Sequence, residues 1–174
     1  MNTPLLRGFP PVVDERARTL ILGSFPSARS LAAGQYYANP RNAFWSITGE
    51  LFGFDAAAPY AKRLAALQSH GVALWDVLLA CRRVGSADSA IELKSLAAND
   101  FGELFAHYPT ITTVYFNGAK AADLFRRLAT APDRMRYQRL PSTSPAHAMR
   151  PGVKLAAWRV IASAAQPGEA GHRR

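Results

Sequence analysis

The strongest constraint on the fold is a series of short apolar segments, each of which ends in glycine or in polar residues. The first is TLILG at Thr19–Gly23, and VALWDVLL at 72–79 has the same character. ITTVYFNG ends at Gly118, and RYQRL ends at Leu140. A strand that is apolar on both faces is typical of a parallel sheet, because helices cover both faces of such a sheet. We therefore predict four strands in a mainly parallel sheet.

Helical periodicity occupies the intervals between these segments. Phe44, Ile47 and Leu51 recur at helical spacing, with Asn42 as a candidate N-cap and Gly53 as the stop. Further helices are predicted at 59–70, 100–107, 119–130 and 153–165. Strands that alternate with helices form doubly wound structures. The predicted fold is an α/β three-layer sandwich with a mainly parallel four-stranded central sheet.

The remaining segments are predicted to belong to the same single domain, 1–174, which is long enough to bury a core. Residues 1–18 contain GFPPVV, whose two prolines exclude a helix, and we predict a strap on the surface. Residues 81–100 are small and polar, so we predict a loop with little regular structure. The tail at 167–174 is predicted to be disordered.

Composition narrows the classes of function. The net charge of +9, from 21 Lys+Arg against 12 Asp+Glu, suits a polyanionic partner such as nucleic acid. Simple solubility or an arginine-favouring genome would give the same charge. The single cysteine, Cys81, excludes an internal disulfide and fits a reducing compartment, so we expect a cytoplasmic protein. No segment has the apolar length of a signal peptide or a membrane span, so we expect no membrane attachment.

Polar residues follow the predicted strands, at the edge where open parallel sheets bind their ligands. The segments expected to converge there are 24–42, 76–83, Asn117 and 142–147. They lack the His/Cys cluster of a zinc site and any glycine-rich phosphate loop, and Asp76 with Asp88 makes only a weak metal-nuclease pair. Their aromatic rings and amides suit a planar, hydrogen-bonding ligand such as a base. The alternative is a rigid surface loop whose tyrosines close over the core.

Four motifs, in order along the chain, carry a resemblance to a known family. They are GSFP at 23–26, YYANPRNAFW at 36–45, GVALWDVL at 71–78 and LPSTSPAHA at 140–148. Together they resemble the uracil-DNA glycosylase superfamily, and within it most closely the hypoxanthine (deoxyinosine) DNA glycosylase branch. No single motif is specific, but the ordered set at strand ends is.

This resemblance implies a DNA-repair glycosylase that flips a deaminated base, hypoxanthine above all, out of damaged DNA. The enzyme would hydrolyse the N-glycosidic bond and leave an abasic site, as a monomer and with no metal and no organic cofactor. Two alternatives stay open: a uracil-directed or broad-range glycosylase, and a non-catalytic module that binds damaged DNA.

The resemblance also implies which amide acts on water. The first motif of the superfamily carries an asparagine or aspartate where this chain has Phe25, which puts ordinary uracil chemistry in doubt. In the deoxyinosine branch the role passes to an asparagine of the NPRN segment. Asn42 matches that residue best, with Asn39 as the alternative. Asn42 also has the capping role given above, and both roles can hold at once.

Four residues are expected to contact the flipped base. Tyr37 aligns with the aromatic residue that stacks on the flipped base. Phe25, in the first motif, is expected to lie beside the base. Asp76 would accept from the N1–H of hypoxanthine, and Asn117 would donate to a base carbonyl. Each of three residues has an alternative role. Tyr37 would close over the core, Asp76 would act as a cap or pair with an arginine, and Asn117 would form a strand-end turn with the following glycine.

The last motif, 141–147, is expected to grip the DNA backbone and to push into the duplex. Ser142, Thr143 and Ser144 would bind phosphate, Pro145 or Ala146 would form the wedge, and His147 would contact phosphate, sugar or the leaving base. A plain surface histidine is the alternative. Further candidates for backbone contacts are Ser24, Arg41, Arg82, Arg83 and Arg150.

Overall fold

The four long predicted strands form one parallel sheet in a computed structural model, which describes residues 2–165. The strands of the described chain are β1 (Leu5–Arg7), β2 (Thr19–Gly23), β3 (Val72–Asp76), β4 (Leu78–Arg82), β5 (Ala97–Ala98), β6 (Thr113–Asn117) and β7 (Arg136–Leu140). The large sheet has the order β3-β2-β6-β7, and every neighbouring pair in it is parallel. The predicted central sheet is confirmed.

Helices cover both faces of this sheet. They are α1 (Ala28–Ala33), α2 (Phe44–Phe52), α3 (Tyr60–Ser69), α4 (Phe101–His107), α5 (Ala119–Leu128), α6 (Pro151–Trp158) and α7 (Val160–Ala165). Successive residues of a strand point to opposite faces. Leu20 and Leu22 therefore pack with the aromatic residues of α4 and α5, whereas Ile21 packs with α2, α3 and Trp158. The three-layer arrangement is confirmed.

The N-terminal strap is more regular than the sequence indicates. β1 pairs antiparallel with β4, and the backbone of Val12 exchanges two hydrogen bonds of 2.9 Å with Leu74 of β3. Since β3 is at the edge of the large sheet, this bridge occupies part of an otherwise unpaired strand edge. The strap thus closes the sheet on one side and does more than lie on the surface.

A second, antiparallel sheet of order β1-β4-β5 was not predicted. The segment 72–79 contains two strands, because the chain leaves the large sheet after Asp76 and Leu78 begins β4. The predicted loop at 81–100 contains the end of β4, the strand β5 and two short 3₁₀ turns, Asp88–Ala90 and Leu93–Ser95. β1 and β5 have three and two residues and are too short to show periodicity, and β4 begins inside the apolar run 72–79, which explains the omission.

The predicted helices are present, with two differences. The unpredicted α1 interrupts the loop after β2; the Oγ of Ser27 caps it, and it ends at Gly34. The predicted helix at 153–165 is two helices, α6 and α7, separated at Arg159.

The tail predicted at 167–174 lies outside the described residues. In the part of the chain that the structure describes, no helix has the length and apolar character needed to cross a membrane.

Candidate active site

A cavity of about 570 Å³ opens at the carboxyl edge of the parallel sheet. The register places the strand ends side by side, because Gly23 pairs with Asp76 and Asn117 pairs with Leu140. The segments after these strands provide the walls: 23–30, 36–42, 86–89 and 142–147, together with Asp76 and Asn117. The location agrees with the rule for ligands of open parallel sheets.

This cavity unites most residues that the sequence nominates. The nominated residues that line it are Ser24, Phe25, Tyr37, Asn39, Asn42, Asp76, Asn117, Ser142, Thr143, Ser144, Pro145, Ala146 and His147. Arg41 instead lines a neighbouring cavity of about 470 Å³, which shares Thr143, Pro145 and His147 with the first. Arg82, Arg83 and Arg150 line neither of these two cavities.

Tyr37 presents an aromatic ring to the cavity from a strained backbone. Its φ of +53° lies in the left-handed region, which is uncommon for a residue other than glycine and tends to occur at functional sites. The ring stacks on Phe44 with centroids 4.0 Å apart and an interplanar angle of 21°. The neighbouring Tyr36 is the core tyrosine, because it is buried and its hydroxyl donates to the carbonyl of Pro10.

Asn39 and Asn42 both line the cavity and share one bonding pattern. Each side-chain oxygen accepts from the backbone N–H two residues later, at 3.0 Å from Arg41 and at 2.9 Å from Phe44. The second bond joins Asn42 to the first residue of α2, so its side chain satisfies one N–H of the first turn as a cap does, although Ala43 holds the N-cap position itself. Within residues 2–165, neither side-chain nitrogen donates to a protein acceptor, so both N–H₂ groups are available for water or a ligand.

Asp76 is a buried carboxyl group without a bonding partner. The residue is 4% exposed, and its Oδ2 has no hydrogen-bond partner among the described residues. Burial raises the pKa of Asp76 to about 7; the charge of Asp88 also raises it, and that of Arg83 lowers it. A methyl group at Gly23 would lie 2.5 Å from Oδ1 of Asp76 and 3.4 Å from the hydroxyl of Tyr37. Only glycine at position 23 therefore lets these two groups converge.

Asn117 binds other parts of the site with both the nitrogen and the oxygen of its side-chain amide. Its nitrogen donates to the Tyr37 hydroxyl at 3.2 Å and to Oγ1 of Thr143 at 2.9 Å, and its oxygen accepts from the Thr143 N–H at 2.9 Å. Thr143 is buried, and its carbonyl accepts from the N–H of Ala43 at 2.9 Å. Both hydrogens of the Asn117 amide thus have acceptors and Thr143 is buried, so the expected donation of Asn117 to a base and of Thr143 to phosphate stays a prediction.

The rest of the last motif faces solvent. Pro145, Ala146 and His147 are exposed, and Ser142 and Ser144 each accept from the backbone N–H two residues later. At Gly118 a Cβ would come within 3.0 Å of Ser142, so the glycine permits this close approach. The 142–147 loop is thus a short, internally bonded projection beside the cavity.

The guanidinium groups of two nominated arginines bind backbone carbonyls of the protein and are not exposed. Arg83 is 3% exposed, lies over the ring of Phe25 and donates to the carbonyls of Pro26 and Gly85. The prediction of a phosphate contact is wrong for Arg83, because no phosphate reaches a buried guanidinium. Arg82 belongs to the small sheet and donates to the carbonyl of Thr3. Arg41 and Arg150 are exposed.

The segment 86–89 also lines the cavity, although the sequence singled out only Asp88 from it, as a weak metal-nuclease partner of Asp76. In the structure the hydroxyl of Ser24 donates to Asp88 at 2.7 Å, and the Ser86 hydroxyl accepts from the N–H of Ala28 at 2.9 Å. Within residues 2–165, no three histidine, cysteine or acidic side chains lie close enough together to coordinate one ion.

Comparison with known proteins identifies the family. The Uracil DNA glycosylase superfamily model matches residues 10–162. A Hypoxanthine DNA glycosylase of Methanosarcina acetivorans is 42% identical over 118 residues, which cover 67% of this chain and 73% of that protein. A Hypoxanthine DNA glycosylase of Methanosarcina barkeri is 40% identical over the same lengths.

A solved structure agrees with these relatives. The solution NMR structure of a candidate uracil DNA glycosylase from Methanosarcina acetivorans superposes with a TM-score of 0.73 and 36% identity, covering 91% of this chain and 99% of that one. The chain belongs to the uracil DNA glycosylase superfamily.

The buried Asp76 makes stability depend on pH. In the unfolded chain this carboxyl ionises near pH 4, whereas in the folded chain it ionises near pH 7. Between these values the folded state binds the extra proton, so the free energy of unfolding falls as the pH rises. We expect Asp76→Asn to remove this fall, which at about 1.4 kcal/mol per pKa unit amounts to a few kcal/mol. Urea unfolding at pH 5 and pH 8 measures it.

The exposed Asp133 provides the control. Asp133→Asn removes the same charge from the chain without touching the cavity, so its pH dependence is expected to follow the wild-type protein. Equal pH dependence in the wild-type protein and in Asp76→Asn would contradict the prediction.

Proposed function

We propose that the protein is a DNA glycosylase that hydrolyses the N-glycosidic bond of a deaminated base, with hypoxanthine as the preferred base. The observation that carries this proposal is the cavity, which combines one stacking ring, one unpaired buried carboxyl group and two available amides. The relatives that bear the name Hypoxanthine DNA glycosylase support it. The cavity volume of about 570 Å³ is in the range of small-ligand sites.

The base must leave the duplex before it can enter this cavity. Extrusion of a deaminated base costs less than that of a normal base, because its pairing is weaker. The flipped base stacks on Tyr37, and the ring is held in place by Phe44 behind it and by the bond from Asn117. Asp76 contacts the hydrogen-bonding edge of the base.

The exposed 142–147 loop contacts the DNA strand around the extruded nucleotide. Pro145 and Ala146 form a small apolar wedge, and Ser142 and Ser144 with His147 are positioned to bind the backbone. The net charge of +9 attracts the phosphate backbone and makes binding sensitive to salt.

We further propose that the protein acts as a single-domain monomer in the cytoplasm. Light scattering of the protein alone and on DNA tests whether it is a monomer.

Bond cleavage needs a water molecule and stabilisation of two developing charges. The leaving base acquires negative charge, and the sugar acquires oxocarbenium character, which the neighbouring DNA phosphates stabilise. The N–H₂ groups of Asn42 and Asn39 orient the water, with Asn42 as the principal residue. An amide is a weaker activator than a general base, so the rate is modest.

A glycosylase assay tests the proposed function directly. Labelled duplexes with one deoxyinosine, deoxyuridine or deoxyxanthosine are incubated with the protein and treated with alkali to cut abasic sites. Fastest cleavage at deoxyinosine supports the proposal. Fastest cleavage at deoxyuridine would assign the chain to uracil repair, and lesion binding without cleavage at any base would make it a binding module.

Substitution of Asn42 separates its catalytic and capping roles. Serine is also a good N-cap, so Asn42→Ser keeps the cap of α2 but removes the amide, whereas Asn42→Ala removes both. We expect Asn42→Ser to reduce single-turnover excision by about 100-fold or more while the midpoint of thermal unfolding changes little. Asn39→Ser is the matched control at the second amide. Full activity of Asn42→Ser with loss in Asn39→Ser would move the catalytic role to Asn39.

Gly23 is expected to be intolerant of the smallest side chain. The Cβ of Gly23→Ala would lie 2.5 Å from Oδ1 of Asp76, so the carboxyl group must rotate away from its place in the cavity. We expect excision to fall by at least about 10-fold, because small displacements in a site have large kinetic effects. Gly102→Ala is a control outside the cavity, because this exposed glycine of α4 has no left-handed φ and its Cβ would lie 3.4 Å from Oδ1 of Asp100, an ordinary contact distance. Wild-type excision by Gly23→Ala would contradict the described contact.

A further inference from the structure

Asp76 is isolated from every hydrogen-bond donor around it. Within residues 2–165 no N–H or O–H group donates to either of its carboxyl oxygens, and the residue is 4% exposed. Two neighbouring amides have other acceptors, and Nη1 of Arg83, which is buried without an acceptor among the described residues, does not bind Asp76 either. Asn99 donates to the main-chain carbonyl of Asp76 at 2.7 Å, and Asn117 donates to Tyr37 and Thr143. An ionised carboxylate that is buried without a donor is costly, and such a group takes up a proton instead.

The charged and titratable groups around Asp76 do not remove this cost. Arg83 and Asp88 face it from the segment after β4, and they act in opposite directions on its pKa. Arg83 makes no ion pair within the described chain: two of its guanidinium nitrogens donate to carbonyls, and its Nη1 is buried without a partner. Tyr36 and Tyr37 face it from the loop before α2, and burial raises the pKa of both phenols, so they are uncharged. The unpaired Oδ2 belongs to a residue that lines the cavity.

We propose that Asp76 reads the flipped base as an uncharged carboxylic acid, whose O–H donates to the base carbonyl while its C=O accepts from the adjacent ring N–H. This inference rests on the proposed function and specifies its recognition step. The ligand class is a base with a lactam edge, a ring N–H beside a carbonyl, which deamination creates from the amino edges of adenine and cytosine. In hypoxanthine these groups are N1–H and O6.

The uncharged acid fits this edge better than a carboxylate does. A carboxylate has only acceptors, so one of its oxygens would face the carbonyl oxygen of the base without a hydrogen between them. The acid supplies one donor and one acceptor in a planar arrangement, and both bonds form at a carboxyl group that is itself buried. Guanine and thymine also have a lactam edge, but full pairing in the duplex opposes their extrusion.

Two substitutions at Asp76 test the inference. Asp76→Asn has the same shape and offers one donor and one acceptor at every pH, whereas Asp76→Leu has a similar size and offers neither. Affinity is measured between about pH 5.5 and pH 9 for a duplex with the non-hydrolysable 2′-fluoro analogue of deoxyinosine. The same duplex with deoxyadenosine at that position corrects for general DNA binding. Excision of deoxyinosine is measured in parallel.

The expected results differ between the three proteins. Lesion affinity of the wild-type protein falls by up to about 10-fold per pH unit once Asp76 ionises. Asp76→Asn shows no such fall, so at pH 9 it binds the lesion more tightly than the wild-type protein does. Asp76→Leu loses lesion preference at every pH. Thermal unfolding and circular dichroism confirm that each variant is folded.

Three results would overturn the inference. If Asp76→Asn binds more weakly than the wild-type protein throughout the pH range, the ionised carboxylate is the reader. If Asp76→Asn retains the wild-type decline, a group other than Asp76 causes the pH dependence. If Asp76→Leu keeps lesion preference, Asp76 does not contact the base. A wild-type protein that binds the analogue without excising deoxyinosine contradicts the proposed function instead, and the affinity profiles still decide the state of Asp76.

Discussion

The arrangement of the site depends on the hydrogen bonds of one amide, that of Asn117. It lies at the carboxyl end of β6 and binds the Tyr37 hydroxyl with its nitrogen and the Thr143 backbone with its oxygen. Two loops that are far apart in sequence are thereby fixed to one strand end. A loop alone does not hold Tyr37 in a left-handed conformation, because the strain amounts to roughly 1 kcal/mol or more. The stacking on Phe44 and the bond from Asn117 offset that strain.

The sequence was sufficient for the fold because the long strands carry an unmistakable pattern. TLILG is buried at all five positions, as a parallel central strand must be, and the turn at its end lies where ligands bind. The small sheet escaped prediction because β5 has two residues and its pairing is set by tertiary contact. Asn42 was identified as a cap from its position before a periodic apolar stretch, which is local information. Local information of that kind does not show which residues from other parts of the chain pack beside the cap.

The chemistry of the site was less predictable for the same reason. Asp76, Arg83 and Asn117 each follow an apolar segment, and nothing in the sequence distinguishes an exposed member of this group from a buried one. In the structure Arg83 braces the turn at Phe25 and Pro26 with two of its nitrogens and leaves Nη1 unpaired, Asn117 is fully bonded, and Oδ2 of Asp76 has no partner. Of the two residues with an unpaired buried atom, only Asp76 lines the cavity. Polar groups left unpaired in a core tend to be functional, since they lower stability.

Thr143 connects the two parts of the site to which the proposed mechanism assigns DNA contact and water activation. Its carbonyl accepts from Ala43, directly after Asn42, and its own side chain is bonded to Asn117. The residues that follow, Pro145 to His147, are exposed and line the cavity. The proposed wedge and the proposed catalytic amide are therefore joined by one short, hydrogen-bonded path. In the proposed mechanism, the depth to which the loop enters the duplex sets the position of the extruded sugar relative to Asn42, without any movement of the sheet.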